Sequence, residues 1–160
     1  AVSIRAVASR CSVSAGTIYN YYESKADLLS DTIESIWHEI FFHPEDEQIF
    51  HDVESCISWI YERLEYGNRQ FPGFFSLHSF GFMRDEKTSG KKRMMKTWGH
   101  ILNGLCEVLE NDPKVRADVF DQEFTEKKFA DILFSLILVS MIRQDYDPSA
   151  ISMLINKTLY

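Results

Sequence analysis

The strongest constraint on this chain is the spacing of its apolar residues, which recur every three or four positions along almost its whole length. Such a period gathers them on one face of an α-helix, which turns through 3.6 residues, whereas a half-buried strand needs strict alternation. Extended alternation of β-branched residues is nearly absent, and Gly and Pro sit mostly between the helical patterns. The spacing therefore predicts an all-α fold.

The helices can be placed in turn. Ile4, Val7 and Ala8 open a short one, a break follows around Cys11 to Val13, and a second starts at Ala15 with Ser14 placed to cap it. A third follows Ser24, where Ser24 and Asp27 have capping-box spacing and Leu28, Leu29, Ile33, Ile36, Trp37, Ile40 and Phe41 supply the apolar face. Pro44 marks its end. Ile49, Val53, Ile57, Ile60 and Leu64 form the next stripe, expected to stop near Gly67-Asn68, ahead of a Phe-rich segment opened by Pro72-Gly73. Met94, Trp98, Ile101, Leu102, Leu105, Val108 and Leu109 make another helix, stopped by Asn111-Asp112-Pro113. Two more run from about Thr125 to Arg143 and from Pro148 to about Leu159. This layout divides the chain into an N-terminal domain, 1–43, and a helical body, 44–160.

Charge narrows the choice of partner. The 160 residues carry a net charge of −7, which argues against a surface built to bind polyanions all round. Within residues 1–25, however, Arg5, Arg10 and Lys25 face Glu23 alone, so any nucleic-acid contact is expected at the N-terminus. Three widely spaced cysteines, Cys11, Cys56 and Cys106, suggest neither a disulfide framework nor a zinc site, and point to a reducing cytoplasm. The longest apolar run, Phe129 to Ile142, is broken by Asp131, Ser135 and Ser140 and falls short of the roughly 20 residues that span a bilayer. It reads as a buried helix, with no membrane partner. No signal peptide is visible, and the start at Ala1 rather than Met leads us to expect native sequence upstream.

Residues 3–22, within the stretch Ser3 to Leu29, SIRAVASRCSVSAGTIYNYYESKADLL, meet the demands of a helix-turn-helix. In that motif one helix braces a second, which lies in the major groove with small residues where backbones approach and polar ones toward DNA. Ala8, Val13 and Ile18 have the size and spacing to wedge the two helices together. The stretch resembles the DNA reader of the TetR (tetracycline-repressor-like) family, with Val7-Ala8, Val13-Ser14, Gly16-Thr17-Ile18-Tyr19, Tyr21-Tyr22, Lys25 and Leu28 in register. Two departures stand out. Ser12 occupies a turn position where the family pattern has Gly, so a residue with a Cβ must adopt the left-handed conformation. The family's scaffold helix, which precedes Ser3, is also missing from this stretch.

The resemblance implies DNA contacts from Arg5, Ser14, Ala15, Gly16, Thr17, Tyr19, Asn20, Tyr21 and Lys25. Gly16 would admit a phosphate or base edge close to the backbone, and Thr17 and Tyr19 would offer hydroxyls to phosphates. Asn20 suits adenine, and Arg5 suits guanine or a phosphate. Lys25 adds a cation at the start of the next helix. The tyrosines also read as packing aromatics, above all Tyr22 at the family's usual Phe position, and Asn20 and Arg5 also read as solvated surface.

For the body, the resemblance implies that the last two helices pair with those of a second subunit as a four-helix bundle. The residues placed there are Phe129, Ile132, Leu133, Leu136, Ile137, Ile151, Leu154 and Ile155. A central core helix in a monomer is the alternative. A pocket for a small-molecule effector would be walled by Trp59, Phe74, Phe75, Phe80, Phe82, Trp98 and Ile101, with His78 and His100 as polar contacts. The same aromatics also read as plain core, and the two histidines as satisfied or surface residues.

Catalysis finds no motif. His38, His43, His51, His78 and His100 lack zinc-protease spacing, and no nucleophile elbow, P-loop or dinucleotide fingerprint appears. His43 and His51 flank Glu45, Asp46 and Glu47, a grouping that reads as a solvated acidic turn, so no metal and no cofactor are expected. The sequence thus points to a homodimeric regulator, a repressor on a palindromic double-stranded DNA operator released by a small effector. An adaptor of the same family that acts by protein contact without an operator is the alternative. An all-helical enzyme is the remote one.

Overall fold

The computed structural model describes residues 3–41, 50–75 and 89–160, with side chains described from 98 onward in the last stretch. Seven helices and no strand occur among these residues. The chain separates into two compact units, Ala1–Glu39 and Ile40–Tyr160.

In the first unit, α1 (Ile4–Arg10) starts at Ser3, whose Oγ accepts from Ala6 N at 3.2 Å. The turn after it is tight: Val13 N donates to Ala8 O at 3.0 Å, and Ser12 holds φ 56°. This is the left-handed turn that the sequence pattern requires, carried by a residue with a Cβ. Helix α2 (Ala15–Tyr19) is capped by Ser14, whose Oγ accepts from Thr17 N at 3.0 Å. Ser24 then caps α3 (Lys25–Phe41), accepting from Asp27 N at 3.1 Å while its hydroxyl donates to Asp27 Oδ2 at 3.0 Å. Each helix start therefore has a side chain that meets one of its orphan N–H groups.

Ile4, Ala8 and Ile18 form the core of this unit, and Val7, Ala15, Tyr22 and Leu28 pack against it. Val13, expected in the wedge, is 42% exposed. The left-handed residue at Ser12 redirects the chain just before it, and Ile4 on α1 supplies the contact instead.

In the second unit, α4 (Val53–Gln70) buries Val53, Cys56, Ile57, Ile60, Tyr61, Leu64 and Gly67 at helical spacing. It runs past the expected stop at Gly67-Asn68 as far as Gln70, with Phe71 as its C-cap. Gly67 is a packing position: a Cβ there would lie 2.7 Å from Ile40 Cδ1 and 2.9 Å from Phe75 Cζ, both on buried side chains. The turn itself comes later, at Gly73 with φ 81°. Helix α5 (Ser89–Asn111) packs on α4 and on α6 (Glu126–Arg143), and α7 (Ser149–Thr158) packs on α4. Thr125 caps α6, and Gln144 ends it at φ 54°, a second left-handed non-glycine.

The buried Asp112 ties distant parts of this unit together. Its Oδ2 accepts from Val53 N at 2.9 Å and from the Tyr160 hydroxyl at 2.6 Å, while Oδ1 accepts from Lys114 N at 2.9 Å. The start of α4, the loop after α5 and the tail after α7 thus share one carboxylate. Burial first, and then the bond to Asp112, push the Tyr160 hydroxyl up from its ordinary value of 10.

Candidate nucleic-acid interface

The period of α2 sorts its side chains. Ile18 is buried and Ala15 half-buried against the core, while Gly16, Thr17 and Tyr19 face outward, followed by exposed Asn20 and Tyr21. Tyr19 is 56% exposed and Tyr21 80%, a solvent fraction far above what packing aromatics show. Arg5 on α1 and Lys25 at the head of α3 are exposed as well, and so is Ser14. Of the nine residues expected to meet DNA, eight are exposed, and only Ala15 serves the core.

Local hydrogen bonds organise this surface. The hydroxyls of Ser14 and Thr17 bond each other at 2.9 Å. A Cβ built on Gly16 would meet nothing nearer than Ser14 Oγ at 3.6 Å, an ordinary contact. No crowding inside the unit requires a glycine there.

Tyr22 departs from the reading as a plain core aromatic. Its ring packs on the Ile4, Ala8 and Ile18 core, but its hydroxyl donates to Asp31 Oδ2 on α3 at 2.9 Å. That bond, and then the carboxylate's charge, raise the Tyr22 hydroxyl above its ordinary value of 10. The extra oxygen at a usual Phe position is the one signal of this in the sequence, and its acceptor nine residues on carries none.

Residues 1–32 match the family model described as bacterial regulatory proteins, tetR family. That match spans the helix-turn-helix of the first unit and a fifth of the chain. No match to it was found among curated proteins or among solved structures. Its N-terminal unit is accordingly similar to the helix-turn-helix DNA-binding domain of that family.

The residues expected to wall an effector pocket fall in several ring clusters of the body. Trp59 packs with Phe50 at 5.2 Å and Phe41 at 5.9 Å between centroids. Phe74 and Phe75 are buried with each other at 5.5 Å, and Phe75 also meets Tyr146. Trp98 sits edge-on to Phe134 at 5.8 Å, with Ile101 half-buried on the same helix and His100 exposed. His78, Phe80 and Phe82 lie outside the described residues.

The residues expected at a dimer face divide by helix face. Phe129, Leu133, Ile137, Ile151 and Ile155 are buried in the body's own core. Ile132, Leu136 and Leu154 are exposed, together with Val139, Ile142 and Met153, which the sequence pattern does not single out. Among the described residues, no helix is long and apolar enough to cross a membrane, and no three potential metal ligands gather.

Proposed function

We propose that the protein is a homodimeric repressor whose two reading helices enter successive major grooves of a palindromic operator, and that a small apolar or aromatic effector releases it. The observation that carries this reading is the outward face of α2, where hydroxyls, an amide and a glycine stand exposed beside Arg5 and Lys25 in an N-terminal stretch where cations prevail. Thr17, Tyr19 and Lys25 contact phosphates, Asn20 reads a base, and Arg5 serves either purpose. Support for the dimer comes from Ile132, Leu136 and Val139, spaced four and three apart on the exposed side of a helix whose other side is already buried. The half-buried aromatics around Trp59 and Trp98 are the source of an effector site.

Binding of the full-length protein to DNA from its own promoter region, followed by fluorescence anisotropy across salt concentrations, tests this. Specific and salt-sensitive binding is expected. Tyr19→Ala and Lys25→Ala weaken binding to all sequences, whereas Asn20→Ala changes the preference among them. An unchanged preference in Asn20→Ala would remove its role as reader, and an absence of specific binding by the wild type would sink the operator itself.

A further inference from the structure

The reading unit holds a carboxylate where its function disfavours one. Asp31 is exposed on α3, six residues beyond Lys25, in a unit that must approach phosphates. An unengaged anion there would only repel DNA. Asp31 is not unengaged: it holds the Tyr22 hydroxyl at 2.9 Å.

We propose that Tyr22 and Asp31 form a positioning pair that sets α3, and with it Lys25, against the reading helix. The inference rests on the DNA-binding reading above. The segment from Asn20 to Ser24 joins α2 to α3 and is short, and both Tyr21 N and Tyr22 N donate to Ile18 O at 3.0 Å, which keeps it coiled on α2. The Tyr22 ring is therefore fixed to the reading helix by these bonds and by the core it packs on. Leu28 fixes α3 to the same core, but an apolar contact has no preferred direction and tolerates sliding or rotation of the helix. A hydrogen bond to a carboxylate has direction. The Tyr22–Asp31 bond thus supplies the rotational setting of α3 that packing at Leu28 leaves loose. Lys25 stands on α3, and Thr17 and Tyr19 stand on α2, so this setting fixes the spacing of cation and hydroxyls along the phosphate chain.

The test compares Tyr22→Phe, Asp31→Ala and Asp31→Asn in the full-length protein, by the salt dependence of DNA binding and by thermal unfolding. Tyr22→Phe keeps the packed ring and removes only the hydroxyl. It and Asp31→Ala are expected to weaken binding about fivefold at moderate salt and to lower the slope of log affinity against log salt by about 1, as when one phosphate fewer is neutralised. Asp31→Asn keeps a carbonyl acceptor for the hydroxyl and is expected to restore the wild-type slope. A fall in melting temperature with the slope unchanged in Tyr22→Phe would overturn the proposal, because a purely structural bond moves the first and not the second. An equal loss of slope in Asp31→Asn and Asp31→Ala would overturn it as well. A wild type without salt-dependent binding would remove the DNA reading along with this inference, whereas normal wild-type binding unaltered by Tyr22→Phe removes the inference alone.

Discussion

The reading unit and the body use the same helices to opposite ends. The helix-turn-helix of the reader has a small core of Ile4, Ala8 and Ile18, with Val7, Ala15, Tyr22 and Leu28 half-buried against it, and its shape is held by bonds between residues three to nine apart. The body buries whole helix faces, and its polar ties span long stretches of chain, as in Val53 to Asp112 and Tyr61 to Ser140. A surface meant for a large rigid ligand needs local rigidity and little core. The dimer face and effector site proposed for the body would set the reverse demand. Breaking each unit at its own kind of tie measures how far this contrast goes.

The largest effect is expected in the body's core. Phe129 is 2% exposed and packs against Phe124 at 5.8 Å and Phe120 at 6.1 Å, so Phe129→Ala should cost about 4 kcal/mol in urea unfolding through reduced burial and the cavity left behind. A cost under about 1 kcal/mol would mean that the loop carrying Phe120 and Phe124 collapses into the space, and that the body is less rigid than its burial implies. Next comes the shared carboxylate. Asp112→Ala strands Val53 N, Lys114 N and the Tyr160 hydroxyl together, for an expected loss of about 3 kcal/mol. Tyr160→Phe removes one of the three and should cost clearly less. Equal losses in the two variants would show that Asp112 matters only through the end of the chain.

In the reader the equivalent substitution is Ile18→Ala. It should cost about 2 kcal/mol, at the lower end of such changes, because a core of three residues has little rigid surrounding in which to keep a cavity open. Hydrogen exchange should speed up at the amides of α1 and α2. Equal acceleration across α4 to α7 would merge the two units energetically and break the comparison.

The two units also differ in what their sequences disclose. The reader is legible because its determinants are local: Ser14 and Ser24 sit one residue before the helices they cap, and Ser12 marks the left-handed turn by standing in a pattern that calls for Gly. Even there, spacing misplaces Val13, since a turn of the backbone decides where it points. The body's helices can be placed within a few residues, yet their faces cannot. Helix α6 is apolar on nearly every side, so its periodicity has no phase, and the buried Phe129, Leu133 and Ile137 look the same as the exposed Ile132, Leu136 and Val139. Gly67 and Asp112 have the local look of stop signals. One is a close approach to Ile40 and Phe75, and the other a junction with residues 59 positions before it and 48 after it, relations that no local pattern carries.

The smallest expected effect separates short-range from long-range ties within the body itself, by pH. Asp52 caps α4, accepting from Ser55 N at 2.7 Å, and also pairs with Lys114 Nζ at 2.8 Å across the loop after α5. The lysine bond first, and then those from Ser55, hold its carboxyl down at about 2 against an ordinary 3.8. A depressed carboxylate contributes stability that is fully present above the ordinary value and is lost as pH falls through the folded one, so the window runs from about pH 4 down to about 2. Lys114 is largely solvent-facing, so the contribution is expected to be about 1 kcal/mol and to shrink with added salt. Asp52→Asn should therefore be less stable than wild type at pH 6 and equal to it below pH 2. Lys114→Met divides the two ties: if the long-range pair dominates, most of the acid sensitivity goes with the lysine, and if the cap dominates, the wild-type profile persists without it.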